Sequence, residues 1–200
     1  MKRLVCVVEG YGELEALPNL CSRIFAELGV TDWIVDPDPI RRPRSKVVHA
    51  LTSNARSDDV QKAAYLARAR PADGVLFLYD ADDACPVAWS AAAQAELAKI
   101  LNGACVMAVR EYEAWLLTAQ ADDDLRRVGV LDKLESHRDP KGILRTLVQG
   151  YKPTTHQLEQ TRRLQFHRAR ALCPSFDKFY RAVAMVVGIS SIAKWPESEP

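Results

Sequence analysis

Short apolar runs alternate with helix-like segments over residues 1–121, and this order constrains the fold more than any other feature of the chain. The clearest run, VLFLY, follows Gly74 and is closed by Asp80. Strands that alternate with helices are typical of βαβ units, whose parallel sheet is covered on both faces. We therefore expect an α/β fold with a mainly parallel sheet of about four strands. The expected strands are Leu4–Val8, Trp33–Val35, Val75–Tyr79 and Ala104–Val109, and the expected helices are Leu14–Leu28, Val60–Ala69, Val87–Ile100 and Tyr112–Gln120.

Strand signals fade after Asp122, and the rest of the chain is helix-like. No Gly/Ser-rich tether separates the two parts, so we expect an α/β core over residues 1–121 and a helical extension over 122–200 packed on it. Most of the four tryptophans fall at apolar helix or strand positions, which favours core packing over base stacking. The expected C-terminal helices are Leu125–Leu134, Pro140–Gln149, Leu158–Leu172 and Phe176–Val187.

Cysteine use and hydropathy favour a cytoplasmic protein. The five cysteines are odd in number and widely spaced, without a C-x-x-C, so they indicate neither a disulfide set nor a zinc site. Glu9 interrupts the N-terminal apolar run before a secretory signal could form. The apolar stretch at 182–193 is too short to cross a bilayer.

The net charge of +1 conceals an asymmetry between the two parts. Residues 1–121 carry 13 Lys and Arg against 16 Asp and Glu, whereas residues 122–200 carry 14 against 10. Basic clusters of this kind can contact a phosphate backbone, although a solvated helix face would have the same composition. The candidate nucleic-acid-binding residues are Arg41, Arg42, Arg44, Lys46, Arg162, Arg163, Arg168 and Arg170.

Acidic residues follow three of the expected strands. Because the carboxyl ends of parallel strands form the ligand crevice of an open α/β sheet, these side chains should lie close together. Carboxylates gathered there repel one another unless a cation neutralises them, and their hard oxygens favour Mg²⁺ or Mn²⁺ over Zn²⁺. Taken singly, each could instead complement or cap a helix N-terminus. The groups are Glu9 with Glu13, Asp80 with Asp82 and Asp83, and Glu111 with Glu113.

Two of these groups resemble a known pair of signatures. Glu9-Gly10 with Glu13, and Asp80-x-Asp82 after a later strand, resemble the motifs of the TOPRIM domain found in topoisomerases, bacterial-type primases and OLD-family nucleases. The whole chain, including REYEAWLL at 110–117 and PSFDKFY at 174–180, is similar to small bacterial TOPRIM-like proteins that are often encoded beside ATPases.

The resemblance implies a role for each acid. Glu9 matches the acid/base glutamate, Glu13 the second carboxylate of the nuclease branch, and Asp80 and Asp82 the metal-binding pair. Glu113 matches a later metal-site glutamate. We also include Asp83 as a candidate metal ligand.

Among the activities of TOPRIM proteins, a nuclease is the one that the sequence does not exclude. The chain has no zinc module like that of primases and no separate domain for a topoisomerase tyrosine. We therefore expect an Mg²⁺- or Mn²⁺-dependent phosphodiester hydrolase acting on DNA or RNA, in which divalent ions stabilise the attacking and leaving oxygens while Glu9 moves a proton. The resemblance further suggests action with an ATPase in defence against phages or mobile elements.

Other functions have less support in the sequence. Gly10-x-Gly12 is followed by Glu15 where a dinucleotide fingerprint needs a third glycine. Asp80-x-Asp82 also resembles the nucleophile pair of HAD-type phosphatases, but Ala84 stands where that motif continues to Thr or Val. The stronger rival is a non-catalytic, metal-binding regulatory or assembly partner of an ATPase. That rival predicts a large exposed apolar patch on the C-terminal helices instead of a continuous basic groove.

Overall fold

A computed structural model describes residues 1–44, 46–47, 58–132 and 134–194. His49, which we do not expect to be a ligand, and Trp195 lie outside these ranges. The fold is an α/β arrangement around one parallel sheet, as the alternation of segments predicts.

The sheet has five parallel strands in the order β2-β1-β4-β5, with β3 also paired to β1. Four strands confirm the expectation, and the fifth, β3, was missed because two residues carry no periodic signal. β2 pairs with the first half of β1, and β3 pairs with its end, where Val8 stands opposite Arg41. The strands are β1 (Lys2–Val8), β2 (Trp33–Val35), β3 (Ile40–Arg41), β4 (Gly74–Asp80) and β5 (Gly103–Ala108).

The central strands are apolar throughout because helices cover both faces of the sheet. In β1, Leu4 and Cys6 face one buried cluster, whereas Val5 and Val7 face the other. The helices that follow the strands are α1 (Glu13–Glu27), α2 (Asp58–Ala69), α3 (Pro86–Leu97) and α4 (Glu113–Leu117). Trp33, Trp89 and Trp115 are buried, as expected for core residues.

Helices also make up the C-terminal part, but two of the expected helices were wrong. The helix expected over 125–134 ends at Arg127, close to Gly129, whose φ of +73° does not continue a helix. The observed elements are α5 (Asp122–Arg127), a 3-10 turn (Leu134–Ser136), α6 (Pro140–Leu147), α7 (Pro153–Arg162), α8 (Phe166–Leu172) and α9 (Pro174–Val186).

The single helix expected over 158–172 is divided into α7 and α8. The guanidinium of Arg23, on α1, donates hydrogen bonds of 2.6 Å to the carbonyl oxygens of Thr161 and Leu164. The Thr161 carbonyl also accepts the N–H of Leu164 at 3.1 Å, so Arg23 adds a second donor to it in the turn where α7 ends. The turn between α7 and α8 is thus contacted by an arginine that lies far away in the sequence.

The C-terminal helices pack on the sheet layer. α7 lies against α1, and α9 lies against β5. Trp115 contacts the rings of Phe176 and Phe179, with centroid separations of 5.3 and 5.2 Å. Residues from both parts of the chain thus share one buried cluster. Within the ranges given above, no helix has the length and apolarity needed to span a membrane.

Candidate functional site

The candidate site lies where the strand order reverses. From β1 the chain continues to β2 on one side and later to β4 on the other, so the carboxyl ends of β1 and β4 flank a topological switch point. Glu9 follows β1 directly, and Asp80 ends β4. Glu113 begins α4, shortly after the neighbouring strand β5. The fold therefore brings together three of the acidic groups that the sequence separates.

Glu9 is half-buried at this edge. Its Oε2 atom is buried and has no hydrogen-bond partner among the described residues. Burial raises the pKa of Glu9 to about 7; the positive charge of Arg44 opposes the shift, and the charges of Asp82 and Glu13 reinforce it. A carboxyl group that titrates near neutral pH can both accept and donate a proton.

Asp80 accepts a hydrogen bond of 2.8 Å from the backbone N–H of Tyr112. Burial, followed by the charges of Glu113 and Glu13, raises the pKa of Asp80 well above its usual range, although that hydrogen bond lowers it. The charge of Glu9 adds to the same effect. The charges of three other acids of the cluster thus all raise the pKa of Asp80.

Glu13 is oriented by two donors. The backbone N–H of Gly10 donates to its Oε2 at 2.7 Å, and the amide of Gln157 donates to its Oε1 at 3.1 Å. Gln157 is fully buried on α7. The C-terminal part of the chain therefore supplies one wall of the site.

Glu113 is almost fully buried, with 2% of its surface exposed. The hydroxyl of Tyr151 donates to its Oε1 at 3.2 Å, and the Nζ of Lys141 lies 3.8 Å away. Burial raises the pKa of Glu113 to about 7; Lys141 opposes the shift, and Glu111 and Glu13 reinforce it. Glu113 thus has the smallest exposed fraction among the carboxylates of the cluster.

Lys141 is a site residue that sequence reasoning missed. Its Nζ lies 3.1 Å from Glu111. Burial lowers the pKa of Lys141, but the charges of Glu113, Glu111 and Asp80 outweigh this effect and raise it. Nothing in the sequence distinguishes Lys141 from its basic neighbours. The sequence also carries no signal that Tyr151 contacts Glu113 or that Gln157 contacts Glu13.

Asp82 and Asp83 lie in the loop after β4, farther from the buried acids. Asp82 has a φ of +46° and pairs with Arg44 at 2.7 Å. Asp83 is 85% exposed and pairs with Arg110 at 2.6 Å. We keep Asp82 as an outer member of the cluster, because its charge raises the pKa of Glu9. Asp83 points to solvent and is not a member.

The donor set fits Mg²⁺ or Mn²⁺, although the side chains are not arranged as a finished site. Among the described residues, no group of three or more His, Cys, Asp or Glu side chains is placed to hold a metal ion. Protein donors contact Glu13, Asp80, Asp82 and Glu113 in this conformation. The Oε2 of Glu9 has no partner, and carboxylate oxygens are the ligand type that Mg²⁺ and Mn²⁺ prefer.

The first basic cluster lies at the same edge. β3 places Arg41 beside Val8, and the N–H of Arg42 donates to the Val8 carbonyl at 2.9 Å. Arg44 pairs with Asp82 at 2.7 Å and donates to the Ala81 carbonyl at 2.6 Å. Arg41 and Lys46 are exposed.

The second basic cluster is divided between surface and structural roles. Arg162 and Arg163 are exposed at the end of α7. Arg168 binds the Thr118 carbonyl at 2.7 Å and Asp122 at 2.5 Å. Arg170 binds Asp177, which is buried, at 2.8 Å. The four arginines therefore do not form one open surface.

Comparison with known proteins places the chain in a family. Neither a curated protein nor a solved structure matches it. A family model described as a domain of unknown function, DUF4276, matches residues 8–184 and so covers both the sheet and the C-terminal helices. The chain therefore belongs to the DUF4276 family.

Proposed function

We propose that this protein is a divalent-metal-dependent phosphodiester hydrolase, a nuclease of TOPRIM type. The observation that carries the proposal is the unpartnered, buried Oε2 of Glu9, which lies among mutually repelling carboxylates at the switch point of the sheet. Acids with raised pKa values in a cleft are candidates for catalysis and metal binding.

The proposal assigns a role to each carboxylate. Asp80, Glu13 and Glu113 would hold Mg²⁺ or Mn²⁺, with Asp82 at the outer side. Such an ion acts as a Lewis acid on a phosphodiester oxygen and lowers the pKa of bound water. Glu9 would move the proton, because its pKa of about 7 suits both directions of transfer near neutral pH. Asp83 is left out of this set because it points to solvent.

The positive groups at the site have a complementary role. Arg44 lies beside Asp82, and its charge also acts on Glu9. Arg41 stands opposite Val8 in the sheet, and the N–H of Arg42 donates to the Val8 carbonyl, so both lie beside the strand end that precedes Glu9. A phosphate backbone that meets these groups would be held beside the carboxylates.

The rival function, a non-catalytic partner of an ATPase, lacks its expected feature. Among the described residues of α5–α9, Met185 is the only large apolar side chain that is strongly exposed. An isolated apolar residue is ordinary on a protein surface and does not mark an interface. An ATPase partner remains a proposal that rests on the resemblance alone.

Cleavage assays with matched substitutions test the proposal. Plasmid, circular single-stranded DNA and structured RNA are incubated with Mg²⁺ or Mn²⁺ and wild-type protein, Asp80→Asn, Asp82→Asn or Glu9→Gln. Asn tolerates the positive φ of Asp82, so that variant should keep the fold. We expect cleavage by the wild type and its loss in all three variants.

Asp83→Asn is the matched control, since it makes the same change one residue along the loop from Asp82. It should cleave like the wild type. Absence of cleavage by wild-type protein on every substrate, or full activity in all three variants, would refute the proposed function.

A further inference from the structure

An exposed aromatic side chain lies beside the candidate site. Tyr11 is two residues from Glu9, between Gly10 and Gly12, and 63% of its surface is exposed. The guanidinium carbon of Arg41 lies 4.3 Å from the centroid of its ring. One side of the ring is thus paired with a cation, while most of the side chain remains open to solvent.

The sheet holds the second member of this pair in place. Arg41 belongs to β3 and stands opposite Val8 in the parallel register, one residue before Glu9. Its position is therefore fixed by backbone pairing to the same strand end that carries the catalytic carboxylate of the proposed function. We call Tyr11 and Arg41 the stacking pair.

The ring also borders a shallow hollow between α1 and α7. Apolar and hydroxyl side chains line it, with two acids and one base: Pro153, Thr155, Leu158, Glu15, Glu159 and Arg162. Two carboxylates against one guanidinium make this lining acidic on balance, so the hollow disfavours a phosphate group and suits an uncharged group that can form hydrogen bonds. Phosphates would be drawn instead towards Arg41 and Arg42 at the end of β1.

We propose that the stacking pair binds an unpaired nucleobase, so that single-stranded nucleic acid is the preferred substrate. This inference rests on the proposed function for its location, since it concerns the substrate of the same site. Aromatic rings and arginine guanidinium planes both stack on bases, and this contact tolerates any base because each has a π-face. In a duplex, neighbouring pairs cover the base faces, and stacking on Tyr11 would require the base to leave the helix.

Binding of defined oligonucleotides tests the proposal without cleavage. The Asp80→Asn protein is titrated into fluorescein-labelled twelve-nucleotide oligothymidine, oligouridine and a twelve-pair duplex, with anisotropy as the readout. We expect both single strands to bind more tightly than the duplex. Adding Tyr11→Ala should weaken single-strand binding by about tenfold or more, the range seen for removal of a stacked base contact.

Three further variants separate stacking from other effects. Tyr11→Phe keeps the ring and should keep the affinity. Tyr65→Ala removes another exposed tyrosine, on α2, and should leave binding unchanged. Arg41→Ala should weaken binding. It should also reduce the slope of log affinity against log salt concentration by about one, because the variant has one positive charge fewer to displace counterions from the phosphates.

The outcomes distinguish this proposal from the proposed function. Equal losses for Tyr11→Ala and Tyr65→Ala, tighter duplex binding, or no binding to any probe would overturn the stacking pair. If Tyr11→Ala weakens oligonucleotide binding but the wild-type protein cleaves no substrate, the stacking pair is supported and the nuclease is refuted. If the protein cleaves nucleic acid but Tyr11→Ala does not change its affinity for oligonucleotides, the nuclease is supported and the stacking pair is refuted.

Discussion

The side-chain amide of Gln157 donates a hydrogen bond of 3.1 Å to the carboxylate of Glu13, although 144 positions separate the two residues. Gln157 is fully buried, so this bond forms only when α7 has docked on α1. One of the proposed metal ligands is therefore oriented by the C-terminal part of the chain. The carboxylate cluster and the packing of the C-terminal helices should form together on folding.

Gly12 makes this docking possible, and its substitution should weaken it. A Cβ at position 12 would overlap the Oε1 of Gln157. The φ of Gly12 is −65°, so alanine meets no backbone strain, and its effect comes from that overlap. We expect Gly12→Ala to reduce the free energy of unfolding by about 1–3 kcal/mol, as overpacking does. Urea unfolding followed by circular dichroism measures the change.

A double-mutant cycle identifies the cause. Truncation in Gln157→Ala removes the overlapping atom, so adding Gly12→Ala to that variant should cost much less than adding it to the wild type. Strictly additive losses would show that Gly12 does not act through Gln157.

Removing the buried charge of Glu113 should stabilise the protein at alkaline pH. The pKa of Glu113 is raised from 4.5 to about 7, so the folded chain holds the proton more tightly than the unfolded chain. Its contribution to stability is fully present below about pH 4.5 and is lost as the pH rises to about 7. We expect Glu113→Gln to raise the free energy of unfolding at pH 8 by about 1–3 kcal/mol and to change it little at pH 4.

Urea titrations at the two pH values measure this difference. Glu159→Gln, on the exposed face of α7, makes the same change without the burial and is the control. A Glu113→Gln protein that is no more stable than the wild type at pH 8 would contradict the raised pKa.

Divalent cations should stabilise the folded chain, because they neutralise acids that repel one another. A ligand at a hundred times its Kd adds about 2.7 kcal/mol to the free energy of unfolding. We expect Mg²⁺ or Mn²⁺ at pH 8 to raise the Tm of the wild type and of Asp83→Asn, but not that of Asp80→Asn. Thermal melts with NaCl at matched ionic strength correct for screening. An equal rise in all three proteins would argue against a site at Asp80.

Arg168 should matter for stability rather than for binding. Its bonds to the Thr118 carbonyl and to Asp122 tie α8 to the segment between α4 and α5. We expect Arg168→Ala to lower the free energy of unfolding by about 1–3 kcal/mol, since hydrogen bonds to charged groups contribute this much. Arg163→Ala, which changes an exposed arginine nearby, should stay within about 0.5 kcal/mol of the wild type.

Oligonucleotide affinity at low temperature distinguishes the two roles, because both variants are then folded. The salt slope should fall for Arg163→Ala and stay unchanged for Arg168→Ala. The opposite result would make Arg168 a phosphate contact.

The strands and the first helices could be predicted because their signals are local. β4 is an apolar run closed by Asp80, and α1 shows apolar residues at intervals of three and four. The expectation that acids gather at strand ends follows from parallel pairing, and Glu9, Asp80 and Glu113 do lie at one edge. Their location at one edge of the sheet could thus be predicted before any distance was known.

What escaped prediction depends on contacts between distant residues. Arg23 contacts the end of α7 from α1. Lys141 and Tyr151 reach Glu113 from a part of the chain with no distinctive pattern. Both Asp82 and Asp83 were candidate metal ligands, yet they point in different directions from a left-handed turn at Asp82. Their ion-pair partners, Arg44 and Arg110, lie far from them in the sequence, so the residues near Asp82 and Asp83 do not reveal these contacts.

The short strands β2 and β3 have a consequence for self-association. Long, exposed sheet edges recruit further strands and lead to aggregation. Here one edge consists of a three-residue and a two-residue strand joined by a bend at Asp36–Pro39, and every residue of β5 at the other edge is buried. The sheet is thus closed to growth by strand addition, and copies or partners of this chain should meet through side-chain surfaces on its helices.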